Sequence, residues 1–395
     1  MGGTGRMEPR ILCISYSDIN SDSRVLRQVA VLAEFGEVTT LSYGEKPERA
    51  AHHLEIDSSL PSLPQTLKGV AELGLRMHRA ALFEAPAVRA AFDVAKGIPF
   101  DIIVANEARA LPLAHALADL QKPRPLVWCD LHEWAPEERA HVLSWRLLVK
   151  PFMTFVCREY LPRTDAVTVV NGSIGELYRQ QFGVECDVVR NASKYRDILP
   201  SAVQESRVRL VHSGSAVPGR NLEGMIEAVQ LLDDRYSLDF YLVGARDGGK
   251  YLEQLKSLVK GSDRVRFHDA VPPESLSKVL NDYDLGIFSL PPRTKNHELM
   301  LPNKFFDFVQ ARLGIVFSPS PETSRLIDEY RLGAIAVDHS PQALAEAIRS
   351  VGTGDRIAAL KRNAHEAARF LNSQHDEDTE RAILRGFSDR LSNAR

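Results

Sequence analysis

The feature that most limits what this chain can fold into is a regular alternation of short apolar runs with longer segments of helical period. Residues 11–16, 38–41, 102–105, 126–129 and 167–170 are apolar runs with no polar face. A run of that length and character is a strand buried on both sides, which requires helices on both faces of a parallel sheet. The intervening segments supply them. Residues 23–35 place Val25, Leu26, Val29, Leu32 and Ala33 at helical spacing before Gly36 stops the helix, and 108–120, 136–161 and 174–182 follow suit. After a polar stretch at 193–206 the pattern restarts. Strands are expected at 209–212, 238–243, 265–267, 284–288, 315–318 and 334–337, with helices at 222–232, 273–280, 303–312 and 322–329. The last forty residues are helical in composition, and 376–391 is amphipathic with no strand after it. The expectation is therefore an α/β chain of two doubly wound halves: 1–195, a linker at 196–206, 207–372, and a C-terminal helix at 373–395 that packs back across the linker. At 395 residues, two domains are also what length alone suggests. In such sheets ligands bind outside the carboxyl ends of the strands, so the crevice between the halves is the expected site.

Composition removes several alternatives. The chain carries 49 basic and 52 acidic residues, a net charge of −3, which argues against nucleic acid as a partner. Cys13, Cys129, Cys157 and Cys186 form no CxxC pair and lie in or beside apolar runs, as buried reduced thiols do. The twelve histidines show no metal-ligand spacing, and no metal site is expected. No apolar run reaches the roughly 18 residues of a membrane span. The start, MGGTGRMEPR, has no signal-peptide core; the six residues before Met7 read as a leader remnant, with Met7 as the natural start. A cytoplasmic protein is expected. Two segments rich in Leu, Arg, Met and aromatics, 62–92 and 145–160, fit either core-facing helices or contact with the inner face of a membrane.

Four segments hold the residues with chemistry. The first strand is followed by SYSDINSDSRVLRQ, without the GxGxxG of a nicotinamide or flavin site. Asp18, Ser21, Asp22 and Arg24 either cap the helix or bind a hydroxyl-rich ligand. In LVWCDLHEW, a buried strand ends on Asp130, Leu131, His132 and Glu133, which places His132 at a crevice. HSGSAVPGRNLEG joins strand to helix through Gly214, Ser215 and Arg220; free amides and a fixed cation suit an anion, although the Walker A ending is absent. In NHELMLPNKFFDFVQARLGIVFSP, Pro302 and Asn303 open a helix with Lys304 in its first turn, where a cation is unfavourable for stability but suited to a diphosphate. Asp307, one turn on, can accept two hydrogen bonds from a ribose diol.

The run Pro302, Asn303, Lys304, Phe306, Asp307, Phe308 and then Gly314, Ile315, Val316 resembles the C-terminal signature of the retaining glycosyltransferase family 4, glycosyl transferases group 1. DSRVLRQVAVLAEFG, DLHEW, VVNGSIGELYRQQFGVECDVVRNA and VHSGSAVPGRNLEGMIEAV resemble other stretches of the family in the same order. The resemblance implies the GT-B fold. It implies that Asp307 holds the donor ribose, that Asn303, Lys304 and Arg220 face the pyrophosphate with Gly214 and Ser215 in the donor loop, and that 267–271, with Val271, contacts the base. His132 takes the place of an active-site histidine, and Asp18, Ser21, Asp22 and Arg24 lie on the acceptor side. Of the family's Glu-x7-Glu, the first place is Leu299 with Glu298 beside it, and the second is Asp307. The arginine usual after the donor-loop glycine is Ser215.

The resemblance implies a metal-independent hexosyltransferase of polysaccharide biosynthesis. It needs no cofactor beyond a nucleotide diphosphate sugar as co-substrate, and it delivers the sugar with retention to a carbohydrate, lipid or small-molecule hydroxyl. The alternatives are a nucleotide-sugar 2-epimerase on the same architecture and a non-catalytic glycosyltransferase-like partner subunit.

Overall fold

The computed structural model describes residues 8–244 and 248–394; the reading of Met7 as the start lies outside them. The chain divides into two compact units, Met1–Arg190 with Asp376–Arg395, and Asn191–His375. The first holds a seven-stranded sheet. Its strands are β1 (Arg10–Asp18), β2 (Glu37–Tyr43), β3 (His52–Ile56), β4 (Ile102–Asn106), β5 (Leu126–Leu131), β6 (Ala166–Val169) and β7 (Asp187–Val188). They pair in parallel in the order β3-β2-β1-β4-β5-β6-β7. The strand order therefore reverses between β1 and β4, the position at which doubly wound sheets open a crevice. Both central strands are apolar because both faces are covered: every residue of β4 and β5 is buried. Leu384 and Phe387 of the C-terminal helix (Ser373–Ala394) complete the core over β1 and β4.

The second unit repeats the plan with β8 (Val208–Ser215), β9 (Tyr236–Val243), β10 (Val265–Asp269), β11 (Leu285–Phe288), β12 (Gly314–Phe317) and β13 (Gly333–Ile335). These are parallel in the order β10-β9-β8-β11-β12-β13, and here the order reverses between β8 and β11. Core clusters lie on both faces of the sheet.

Two departures from the sequence reading have clear causes. Strand β3 was not expected, because an edge strand reading HHLEI is exposed on one side and needs no apolar run. The single helix expected over 136–161 is broken. A 3-10 turn, Ala135–Glu137, is followed by a π-helical turn, Trp145–Val149, and then by the helix Lys150–Tyr160. Pro151 has no amide hydrogen to give the Leu147 carbonyl four residues back. The Arg76 guanidinium supplies that bond instead, at 2.8 Å. The four cysteines are free; three are buried and Cys186 is partly so.

Candidate functional site

In the second unit, Gly286 of β11 determines how closely the next helix can approach. A side-chain carbon there would lie 2.3 Å from the Phe308 ring. With glycine, the helix Asn303–Gln310 packs directly on the sheet, its apolar face buried at Phe305, Phe306, Phe308 and Val309. Lys304 and Asp307 are left on the other side, at the carboxyl end of β8. No side chain caps this helix; the Phe305 amide bonds the Pro302 carbonyl, and the amides of Asn303 and Lys304 at the helix start suit an anion. A cavity of about 330 Å³ opens there, lined by Gly214, Ser215, Arg220, Val271, Asn303, Lys304 and Asp307. These are all seven residues assigned to donor binding, brought together from three separate segments. Of the stretch 267–271, however, Phe267 turns inward and stacks on Phe240, leaving Ala270 and Val271 on the wall.

The charges in this cavity are poorly compensated. The Lys304 ammonium lies 4.5 Å from the centre of the Phe288 ring. Burial and the neighbouring Arg220 lower its pKa to about 8, against the pull of Asp307. Asp307 accepts a hydrogen bond from the Ser193 hydroxyl. His212, not singled out in the sequence, also lines the cavity. Its Nδ1 donates to the Ile287 carbonyl at 3.0 Å, and its ring stacks on Phe288. Burial and Lys304 push it down to about 3, so it is neutral, with the Nε2 lone pair unprotonated. A β-carbon at position 214 would touch both His212 and Lys304 at 3.5 Å, and the positive φ there favours glycine. Glu298 is elsewhere: it is exposed, pairs with Lys295 at 2.9 Å, and does not line the cavity.

The first unit gathers its polar residues differently. Arg24 is buried and forms a fork on Asp130, Nε to Oδ2 at 2.8 Å and Nη2 to Oδ1 at 2.6 Å, and it also donates to the Val189 carbonyl. Thr168 gives Asp130 a further bond at 2.6 Å. His132 lies between two carboxylates, with Nε2 3.2 Å from Asp130 and Nδ1 3.1 Å from Glu107. Burial alone would lower its pKa, but Glu107 and Asp130 raise it to about 10. Both ring nitrogens are therefore protonated and occupied, so His132 acts as a cation and not as a base. Asp18 and Asp22 are caps: Asp18 accepts from the Asn20 amide and the Ser21 hydroxyl, and Asp22 accepts from the amides of Arg24 and Val25 at the start of α1 (Ser23–Leu32). Of the four residues placed on the acceptor side, Asp18 and Asp22 thus cap helix starts, Ser21 donates to Asp18, and Arg24 is committed to Asp130.

Glu107 was not legible in the sequence. It follows β4 at the reversal of strand order and has φ 71° and ψ 149°, a region close to one that only glycine enters freely, at a cost of about 1–3 kcal/mol. Its amide is tied to the Asp130 carbonyl at 2.8 Å. Its carboxylate is kept ionised by His132 against burial.

Residues 207–353 match the family model described as glycosyl transferases group 1. The matched stretch lies within the second unit. No curated protein sequence matches the chain. Among solved structures, the chain is similar to HepE of Anabaena in complex with UDP and glucose (14% identity, 97% of this chain and 99% of that one, TM-score 0.67). It is also similar to sucrose-phosphate synthase of Thermosynechococcus elongatus (13%, 98% and 100%, TM-score 0.70). A third likeness is to α,α-trehalose 6-phosphate synthase of Burkholderia multivorans (11%, 98% and 98%, TM-score 0.62). At these identities the likeness shows the fold, and it extends over both units: two Rossmann-like parallel-sheet domains, the GT-B fold.

Proposed function

We propose that the chain transfers a sugar from a nucleotide diphosphate to an acceptor hydroxyl with retention at the anomeric carbon. One observation carries the reading: a single cavity in the group 1 domain presents an uncapped helix start, Lys304 and Arg220 at one end, and the Asp307 carboxylate beside them. The cations and amides suit the negative charge that develops on a departing diphosphate, and Asp307 suits a ribose diol. Because Lys304 and Arg220 supply positive charge where a divalent ion would otherwise be needed, turnover is expected to be insensitive to EDTA. HepE was crystallised with UDP-glucose, which supports a nucleotide sugar as the ligand class. In the first unit, Glu107 is the ionised acceptor group at the strand-order reversal, suited to a substrate hydroxyl, and the His132 imidazolium fixes its orientation. A thermal-shift panel of UDP, GDP, ADP and dTDP tests the donor site, followed by hydrolysis of the matching nucleotide sugars. Absence of any nucleotide shift would end the reading.

The placement of Glu298 on the surface favours a second reading, a glycosyltransferase-like subunit that binds donor without turning it over. Nucleotide binding with no hydrolysis of any nucleotide sugar would decide for it.

A further inference from the structure

Segments 62–92 and 145–160 left two readings open, core or membrane surface. The structure separates them residue by residue. Helix α2 (Leu67–Gly74) turns Gly69, Glu72 and Leu73 inward, while Leu67, Val70, Ala71 and Gly74 are exposed, continued by Leu75 and Met77 and bordered by the exposed Lys68 and Arg76. Leu67 is 95% exposed and Leu75 72%. The π-helical turn stands beside it, joined through the Arg76 bond to the Leu147 carbonyl. That neighbouring segment exposes Leu143 and Leu147 as well. Scattered exposed leucines are ordinary, but an apolar helix face with basic residues at its border, adjoining a second apolar segment, is not.

The charge around this face indicates what covers it. Residues 62–92 and 136–163 together hold nine Lys and Arg against five Asp and Glu, in a chain whose net charge is −3. A cavity of about 860 Å³ beside the π-helical turn is lined by His78, Arg146, Leu147, Lys150, Phe155 and Arg158, with Glu137 paired to Lys150. Among the described residues, the nearby Glu137 and Glu159 pair with Lys150 and Arg79, and Arg146 and Arg158 have no ion pair. Exposed leucines flanked by unpaired arginines match a bilayer, which offers acyl chains and anionic phosphates at adjacent depths. Among the described residues no helix is long and apolar enough to span one.

We infer that this face of the first unit rests on an anionic lipid surface, with the leucines of α2 and the π-helical turn inserted and Arg146 and Arg158 on the headgroups. The test is sedimentation of the full chain with vesicles of phosphatidylcholine alone and of phosphatidylcholine mixed equally with phosphatidylglycerol. Binding to the mixed vesicles is expected to be at least about tenfold tighter. The pair Leu67→Glu with Leu75→Glu, and separately Leu143→Glu with Leu147→Glu, should each weaken it about tenfold or more, with the melting temperature and nucleotide shift unchanged. Arg146→Glu with Arg158→Glu should remove the preference for the anionic vesicles. No vesicle binding, or binding unaltered in all three variants, overturns the inference. So does a self-association of the free protein that the leucine variants abolish, which would make the face a contact between copies.

Discussion

The two units handle positive charge in opposite ways. In the second, Lys304 is held half-buried at an uncapped helix start beside Arg220, and its pKa falls to about 8. In the first, Arg24 and His132 are enclosed by Asp130 and Glu107, and the pKa of His132 rises to about 10. A cation whose charged form is disfavoured by its surroundings gains most from an anionic ligand. One whose charged form is favoured is already neutralised, and it fixes the position of its partners. On the function proposed above, the difference separates the nucleotide cavity from the network that holds Glu107 in position.

The largest expected effect breaks the scaffold. Asp130→Asn leaves Arg24 and His132 buried against one remaining carboxylate, and losing one partner of a buried pair costs about 3–5 kcal/mol. Urea unfolding should show that loss, while nucleotide binding by the folded fraction stays as in wild type. An Asp130→Asn protein as stable as wild type would mean the enclosed network does not hold the first unit together.

Next comes the converse change. Lys304→Ala should weaken UDP, or whichever nucleotide the panel selects, by about 100-fold, the size of a charge-assisted contact to a diphosphate. Because a depressed cation is a burden in the empty protein, the variant should be no less stable than wild type. A stability loss with intact nucleotide affinity would reverse the roles assigned to the two units.

Protonation sharpens the contrast further. With a pKa of about 8 in the empty site, Lys304 is about half protonated at pH 8, and a diphosphate draws it to the charged form. Nucleotide binding at pH 8 should therefore take up about half a proton, measurable by calorimetry in two buffers of different ionisation enthalpy, and Lys304→Arg should remove the uptake. For His132 the sign is opposite to a depressed group's: its folded value of about 10 lies above the ordinary 6.5. The stability it contributes is complete below pH 6.5 and lost as pH rises through 10. His132→Gln should flatten the fall in melting temperature between pH 7 and pH 10.

What was legible in the sequence follows the same division. Buried parallel strands were readable because burial on both faces leaves unbroken apolar runs, as in β4 and β12. The cavity-lining segment 302–307 was readable because Lys304 opposes the helix dipole. The first unit's network was not. Arg24 looks like any helical arginine, and its burial depends on a carboxylate 106 residues away. The strain at Glu107 comes from the tertiary bond between its amide and the Asp130 carbonyl, so nothing in ANEARA signals it. The apolar face of α2 was ambiguous for a related reason: the same spacing serves a core or a surface, and only the fold decides which way Leu67 and Leu75 point.

The smallest expected effect bears on Glu107, where two terms nearly cancel. Glu107→Gly would relieve backbone strain of about 1–3 kcal/mol and would lose a carboxylate that pairs with a partly buried imidazolium, worth a similar amount. Net stability at pH 7 should therefore change by no more than about 1 kcal/mol, and nucleotide binding should not change. The proton on His132 would report the loss: with Asp130 as its remaining carboxylate, its titration by NMR should move down from about 10. Glu107→Gln keeps both the strain and the shape, so it should be the less stable of the two variants. If glycine were instead clearly the more damaging substitution, Glu107 would belong to the scaffold and its assignment to a substrate hydroxyl would fall.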